Sequence, residues 1–219
     1  MRVLLKQLFG KPHMIARTTA ALLANVVIAL GIALLRWAQL GNDPFSAMMM
    51  AIHAYLPLDY GTFCLLANLV MFIAQLLWGR QTIGVGTLIN GLLLGYFVDF
   101  WNLILGLTGI TPANLVFRGV LAAAGIVIAA FGLSFYVAAD VGVAPYDSLA
   151  LILRERLHFS VMVTRVCTDG TAILTCILLK GVFGAGTVMA VFGLGILMGF
   201  FEKHTALPFY RRVVHEKQA

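Results

Sequence analysis

The chain has 219 residues, of which 61% are hydrophobic and only 11% charged, and its mean hydropathy is +0.97. Too few polar side chains are present to coat a soluble domain of that length, and segments of alternating polarity, as in a membrane β-barrel, are missing. The formal charge of +6 gathers at the termini and in short loops, as on a cytoplasmic rim, and gives no indication of a nucleic-acid partner.

Residues 1–16 carry Arg2, Lys6 and Lys11 among Leu and Phe, the pattern of a short interfacial segment on the cytoplasmic side. No short apolar stretch followed by a small-residue cleavage site is seen, so no cleaved signal is expected. A long apolar run covers 17–40, a short one 44–56, and two more long ones 61–78 and 84–107. Together they form a first transmembrane half, 17–107. The neutral turn 108–114 follows. The second half, 115–201, repeats the order: a long run at 115–139, a short one at 145–153 ending in Arg154-Glu155-Arg156, and long runs at 161–179 and 184–201. Residues 202–219 form a basic tail, expected in the cytoplasm. Long runs of about twenty residues match the roughly 30 Å of bilayer hydrocarbon.

The halves share phrases. "ALGIALLRWAQLGNDPFSAM" from Ala29 aligns without gaps to "AFGLSFYVAADVGVAPYDSL" from Ala130. Gly41 falls on Gly142, Pro44 on Pro145 and Phe45 on Tyr146. "GVGTLINGLLLGYFVDF" from Gly84 aligns to "GAGTVMAVFGLGILMGF" from Gly184. The expected architecture is therefore all-α: a polytopic transmembrane bundle of two internal repeats, with six long helices and two short Pro-initiated ones. A short segment of thirteen residues reaches only about 20 Å, short for a crossing. If the short segments do not cross, each half crosses three times and the repeats are inverted, the favoured reading; if they do, each half crosses four times and the halves are parallel. The favoured reading places Arg80, the Arg154–Arg156 cluster and both termini in the cytoplasm and leaves Lys180 as the misfit.

Duplication within a small membrane protein points to transport, with a solute held between the repeats. Gly41-x-x-Pro44 and Gly142-x-x-Pro145 read as helix breaks. Pro suits the first helical position, Asn42 or Asp43 would cap the first short helix, and Asp147 stands where an acid can meet free N–H groups. Charges inside apolar runs are costly and usually face a cavity or a partner. Asp169 and Arg165 lie one turn apart and can pair on one helix face, and Arg36 and Asp99 form a second candidate pair. The expected solute or ion path thus comprises Asp99, Asp169, Arg165, Arg36, Asp43 and Asp147, and the acids suit proton coupling. Asn25, Asn68, Gln75, Asn90 and Asn102 read as interhelical glue, and Gly91-xxx-Gly95 and Gly195-xxx-Gly199 as close-packing pairs, within the monomer or in a homodimer.

Cys64, Cys167 and Cys176 sit in apolar runs without a CxxC and read as small hydrophobes. Met49 and His53, one turn apart, would suit a soft metal, but no second ligand cluster supports one. No metal or cofactor is expected. The hydrolase and protease phrases HExxH and GxSxG are missing, and no enzymatic activity is expected.

"LGNDPFSAM", "VGVAPYDSL" and the run "GVGTLINGLLLGYFVDF" resemble the YczE/YitT-like family of bacterial integral membrane proteins. Gly41, Pro44, Phe45, Gly84, Gly86, Thr87, Asn90 and Asp99 match the family pattern, while Ser46 stands where an Asp is usual and the second phrase keeps it as Asp147. The resemblance implies a bacterial inner-membrane protein and carries over no established catalytic or binding residue. The expected partners are the lipid bilayer and an unknown small solute. The alternative is a membrane scaffold or regulator that transports nothing.

Overall fold

The computed structural model describes residues 13–109, 111–159 and 161–215, with side chains 161, 162 and 213–215 excepted. Most of the expected N-terminal interfacial segment lies outside the described residues. The described chain is helical, without strands: α1 (Met14–Ala38), α2 (Pro44–His53), α3 (Tyr60–Trp78), a 3₁₀ turn (Arg80–Thr82), α4 (Val85–Leu107), α5 (Leu115–Ala139), α6 (Pro145–Leu157), α7 (Val161–Leu178) and α8 (Ala185–Phe201). A π-helical turn, Glu202–Ala206, leads into α9 (Leu207–His215). The polar tail is thus a continuation of α8, and Tyr210 donates to the Phe135 carbonyl of α5 at 3.2 Å.

Five helical segments are long and apolar enough to cross a membrane: α1, α3, α4, α5 and the stretch Ala185–Arg212. Helix α7, with Arg165, Asp169 and four threonines in eighteen residues, is not among them.

The core is built where α1 and α5 cross. Both are rich in Ala and Gly, so their backbones approach closely, as helices do in a membrane, where no hydrophobic effect drives side chains together. A Cβ on Gly31 would lie 2.6 Å from Ala129, and one on Gly132 2.9 Å from the Ala24 carbonyl. The helices run antiparallel. Arg17, at the start of α1, donates to the Ala139 carbonyl at the end of α5 (2.7 Å), and Arg118, near the start of α5, donates to the Ala38 and Gln39 carbonyls at the end of α1 (2.6 Å each). Each arginine satisfies carbonyls that a helix C-terminus leaves free.

Both helices end alike. Gln39 and Asp140 take left-handed backbone (φ 52° each), and each donates back into its helix. Gly41 (φ 101°) and Gly142 (φ 116°) follow; this conformation favours glycine. The chain then lies against the other half of the molecule. The Leu40 carbonyl accepts from Gly186 N and the Val141 carbonyl from Gly86 N, both at 2.7 Å. The Gly-x-Gly-Thr start of each later helix thus receives the Gly-x-x-Pro loop of the opposite half, and α2 packs on α7 while α6 packs on α3.

The polar residues divide between helices and loops. Asn90 donates to Asn25 Oδ1 across α4 and α1 (2.9 Å). Gln75 donates to Thr82 (2.8 Å). Among the described residues Asn102 bonds only within α4, to Val98 (2.8 Å). Gly95 packs on Cys64 and Gly61, and Gly91 on Pro145, all inside one chain, whereas no described atom comes within 4 Å of a Cβ built on Gly195 or Gly199. The second glycine pair is therefore not a packing site within this fold.

Candidate functional site

The first turns of α2 and α6 meet beside α7. Pro44 and Pro145 each sit at the start of their helix, where a missing N–H costs nothing. The residues that follow them stack on one another: the Phe45 and Tyr146 rings lie 4.4 Å apart, 25° from parallel. Tyr146 donates its hydroxyl proton to Asp169 Oδ1 at 2.8 Å. Arg165 on α7 donates to Asp147 Oδ1 at 2.8 Å and lies 3.4 Å from Asp169 Oδ2. Asp43 is close enough for its carboxylate to act electrostatically with Asp169 and Asp147. Two carboxylates therefore share one guanidinium with a third close by, a formal excess of two negative charges when all are ionised. The side chains of Arg165, Asp147 and Asp169 stay 49%, 29% and 22% exposed, so the cluster is not sealed in the core. Such a site can accept a cation or protons, with Tyr146 as a hydrogen-bond donor beside it.

The acids of the two Pro phrases differ in what they do. Asp43 caps α2, accepting from Ser46 N at 3.0 Å. Asp147 caps nothing. The cap position of α6 is Ala144, with no side-chain bond, and Asp147 turns to Arg165 instead. The Arg165–Asp169 pair forms as its spacing requires, though the shorter bond goes to Asp147.

The expected Arg36–Asp99 pair does not form. Asp99 Oδ2 accepts from Gly61 N at 2.6 Å, so α4 caps the first turn of α3. The Arg36 guanidinium lies 5.5 Å from the Tyr60 ring centre, and among the described residues it makes no ion pair. Four of the six proposed path residues thus gather around α7, and two stand apart near the start of α3. Phe45 and Tyr146 were visible only as the matched aromatics of two phrases; that alignment is the one signal that could have marked them as a pair. His53 is occupied with the Leu58 carbonyl at 2.7 Å, and among the described residues no cluster of three His, Cys, Asp or Glu could hold a metal.

The two ends of the molecule differ in charge. Arg17, Arg80 and Arg156 lie at one end, where Gln81 bonds Glu155 (2.7 Å) and Arg156 covers Trp78 (5.4 Å). At the other end Arg118 joins Lys180, so the latter is not the sole basic residue there.

A family model described as a family of unknown function, DUF6198, matches residues 15–203. The chain is 26% identical over 192 residues to the uncharacterised membrane protein YczE of Bacillus subtilis, covering 87% of each chain. It is 28% identical over 181 residues to an uncharacterised protein of Haemophilus influenzae, covering 82% of this chain and 80% of the other. It is 25% identical over 183 residues to the uncharacterised protein YyaS of B. subtilis, covering 82% and 90%. No solved structure matches this chain.

Proposed function

The chain belongs to the DUF6198 family of bacterial membrane proteins, and we propose that it is a small-solute transporter of the bacterial inner membrane built from two inverted repeats. The observation that carries this reading is the cluster of Asp43, Asp147, Asp169, Arg165 and Tyr146 at the paired starts of α2 and α6. Charged groups in a membrane protein mark solute and proton pathways, and sites formed at helix breaks between repeats are how many secondary transporters hold their cargo. The antiparallel α1 and α5, joined by matching arginine-to-carbonyl bonds, support the inverted relation. The excess negative charge suits a cationic solute or a proton taken up by the carboxylates. The path runs between the halves, past the stacked Phe45 and Tyr146.

Reconstitution into proteoliposomes tests this. Electrometry with a panel of inorganic and organic cations, run with and without a pH gradient, should give currents that Asp169→Asn and Asp147→Asn remove while both variants stay monodisperse. Unchanged currents in both variants would remove the site. A protein that carries no current, gains no stability from any solute and co-purifies with a partner would be the scaffold instead.

A further inference from the structure

A cavity of about 270 Å³ opens beside the end of α1, between α2 and the turn after α7. No member of the acidic cluster lines it, although Asn42, next to Asp43, does. Its walls are mostly apolar, with Ala47, Met50 and Ala51 from α2 and Val182 opposite; Gln39 and Asn42 add polar groups, and its lining holds two cations, the half-buried Arg36 and the exposed Lys180 at the rim. Tyr55 reaches across the rim, donating to the Leu179 carbonyl at 2.9 Å. Among the described residues neither cation makes an ion pair or a side-chain hydrogen bond. Arg36 is half-buried, and burying a charge without an acid is costly. Its position over the Tyr60 ring offsets only part of that cost. The matching places at the other end of the molecule are built differently: Val137 is uncharged, and Arg80 is tied to the Leu76 carbonyl at 2.7 Å. A half-buried guanidinium and a second, exposed cation that make no ion pair at one mostly apolar cavity are therefore an arrangement that the matching places do not repeat.

We infer that this cavity binds a small organic anion, its acidic head held by Arg36 and Lys180 and its compact apolar body against Met50 and Ala51. The volume equals roughly nine waters, below the roughly 300–1,000 Å³ of drug-sized sites, which sets the ligand near the size of benzoate. A fork-shaped guanidinium with a second cation suits a carboxylate or a phosphate monoanion. That head can belong to a soluble organic acid or to an anionic lipid whose chain enters from the bilayer. Binding here requires no transport, so its outcome is separate from that of the acidic cluster.

The test uses the full-length protein in detergent micelles, with radiolabelled benzoate as probe and benzamide, benzylamine and chloride as competitors. Benzoate should bind and raise the melting temperature by mass action, and none of the three competitors should displace it. Arg36→Gln or Lys180→Gln should weaken binding about ten- to hundredfold, the value of a charge-assisted hydrogen bond, with Arg36→Lys recovering part of it. Ala54→Trp, at an exposed edge of the cavity, should block binding with both charges in place. Phosphatidylglycerol that displaces benzoate only while both cations are present identifies the lipid as the source; benzoate binding that survives the lipid identifies a soluble acid. Binding of neither benzoate nor the lipid, equal binding of benzamide, or benzoate binding intact in both Gln variants would overturn the site.

Discussion

Arg165 holds the central cluster together because its guanidinium reaches two helices at once. It joins Asp147 at the start of α6 to Asp169 on its own helix. Taking its charge away leaves Asp43, Asp147 and Asp169 facing one another with no counter-charge. An exposed pair is worth about 0–1 kcal/mol and breaking a buried one costs about 3–5 kcal/mol; with half of Arg165 exposed, Arg165→Gln should cost about 1–2 kcal/mol. Thermal unfolding in detergent reads this, and adding Asp147→Asn to Arg165→Gln should recover part of the loss. Asp43 and Asp147, equivalent in the aligned phrases, should respond differently on their own. Asp43→Ala removes the α2 cap and should cost about 0.5–2 kcal/mol, whereas Asp147→Asn removes no cap. Equal losses in the two would contradict the capping difference. That difference was not legible in the sequence. Spacing places an acid near a helix start, but only packing against α7 decides whether it bonds its own backbone or a neighbouring arginine.

Among the elements, the tightest junctions are the two loops that follow α1 and α5. Gly41 and Gly142 hold left-handed backbone, and a Cβ at Gly142 would lie 2.5 Å from Gly84 N and 2.6 Å from Thr87 Oγ1. Gly142→Ala combines an adverse φ with a clash against backbone and should cost about 2–4 kcal/mol, given about 1–3 kcal/mol for backbone strain and about 1–3 for overpacking. Loss of expression or a melting point lowered by several degrees checks it, and Gly195→Ala, in open space, serves as the neutral control. The sequence announced part of these junctions: Gly-x-x-Pro recorded a turn followed by a helix start, while Gly-x-Gly-Thr was visible only as a phrase repeated in both halves. It did not say that each phrase docks on the opposite half, because partners 55 and 146 residues apart leave no local signature. Helix α3 adds a pH-dependent element outside the apolar spans. Asp59 caps it, accepting from Thr62 N at 2.7 Å, and these bonds, backbone first, hold its carboxyl below the usual range. A depressed value adds stability above the unfolded carboxyl pKa of about 3.9, and the gain is lost as pH falls through the folded value. Asp59→Asn should therefore flatten the acid limb of the melting curve while leaving neutral-pH transport currents intact.

At the scale of the whole molecule, the opposite directions of α1 and α5 settle which groups share an end, and the sidedness of those ends follows as a prediction. Gln81 lies with Arg17, Arg80 and Arg156, and Ala113 precedes α5 at the Arg118 end. Basic residues in short loops are retained in the cytoplasm. The count favours the Gln81 end, although Arg118 and Lys180 weaken the contrast; the bonds of Arg118 to the Ala38 and Gln39 carbonyls give it a structural reason to sit where the charge rule would not put it. Hydropathy could reveal the long runs, but α7 dilutes its own apolar signal with the charges and threonines that make up the cluster, so the number of crossings is least legible at the helix that matters most. In a variant with Cys64, Cys167 and Cys176 replaced by Ser, a cysteine at Gln81 should resist an impermeant thiol reagent in intact cells and react once they are opened. A cysteine at Ala113 should react from outside. That pair of results requires an odd number of crossings between residues 81 and 113, which α4 alone supplies, and an inward start for α4. Adding a cysteine at His158, between α6 and α7, then decides the short helices. Protection from outside means that α5 crosses and α6 does not, giving three crossings per half and opposed halves. Labelling from outside means that α6 crosses as well, and the cluster at its first turn would then sit at one face of the membrane, where no path between halves could pass through it.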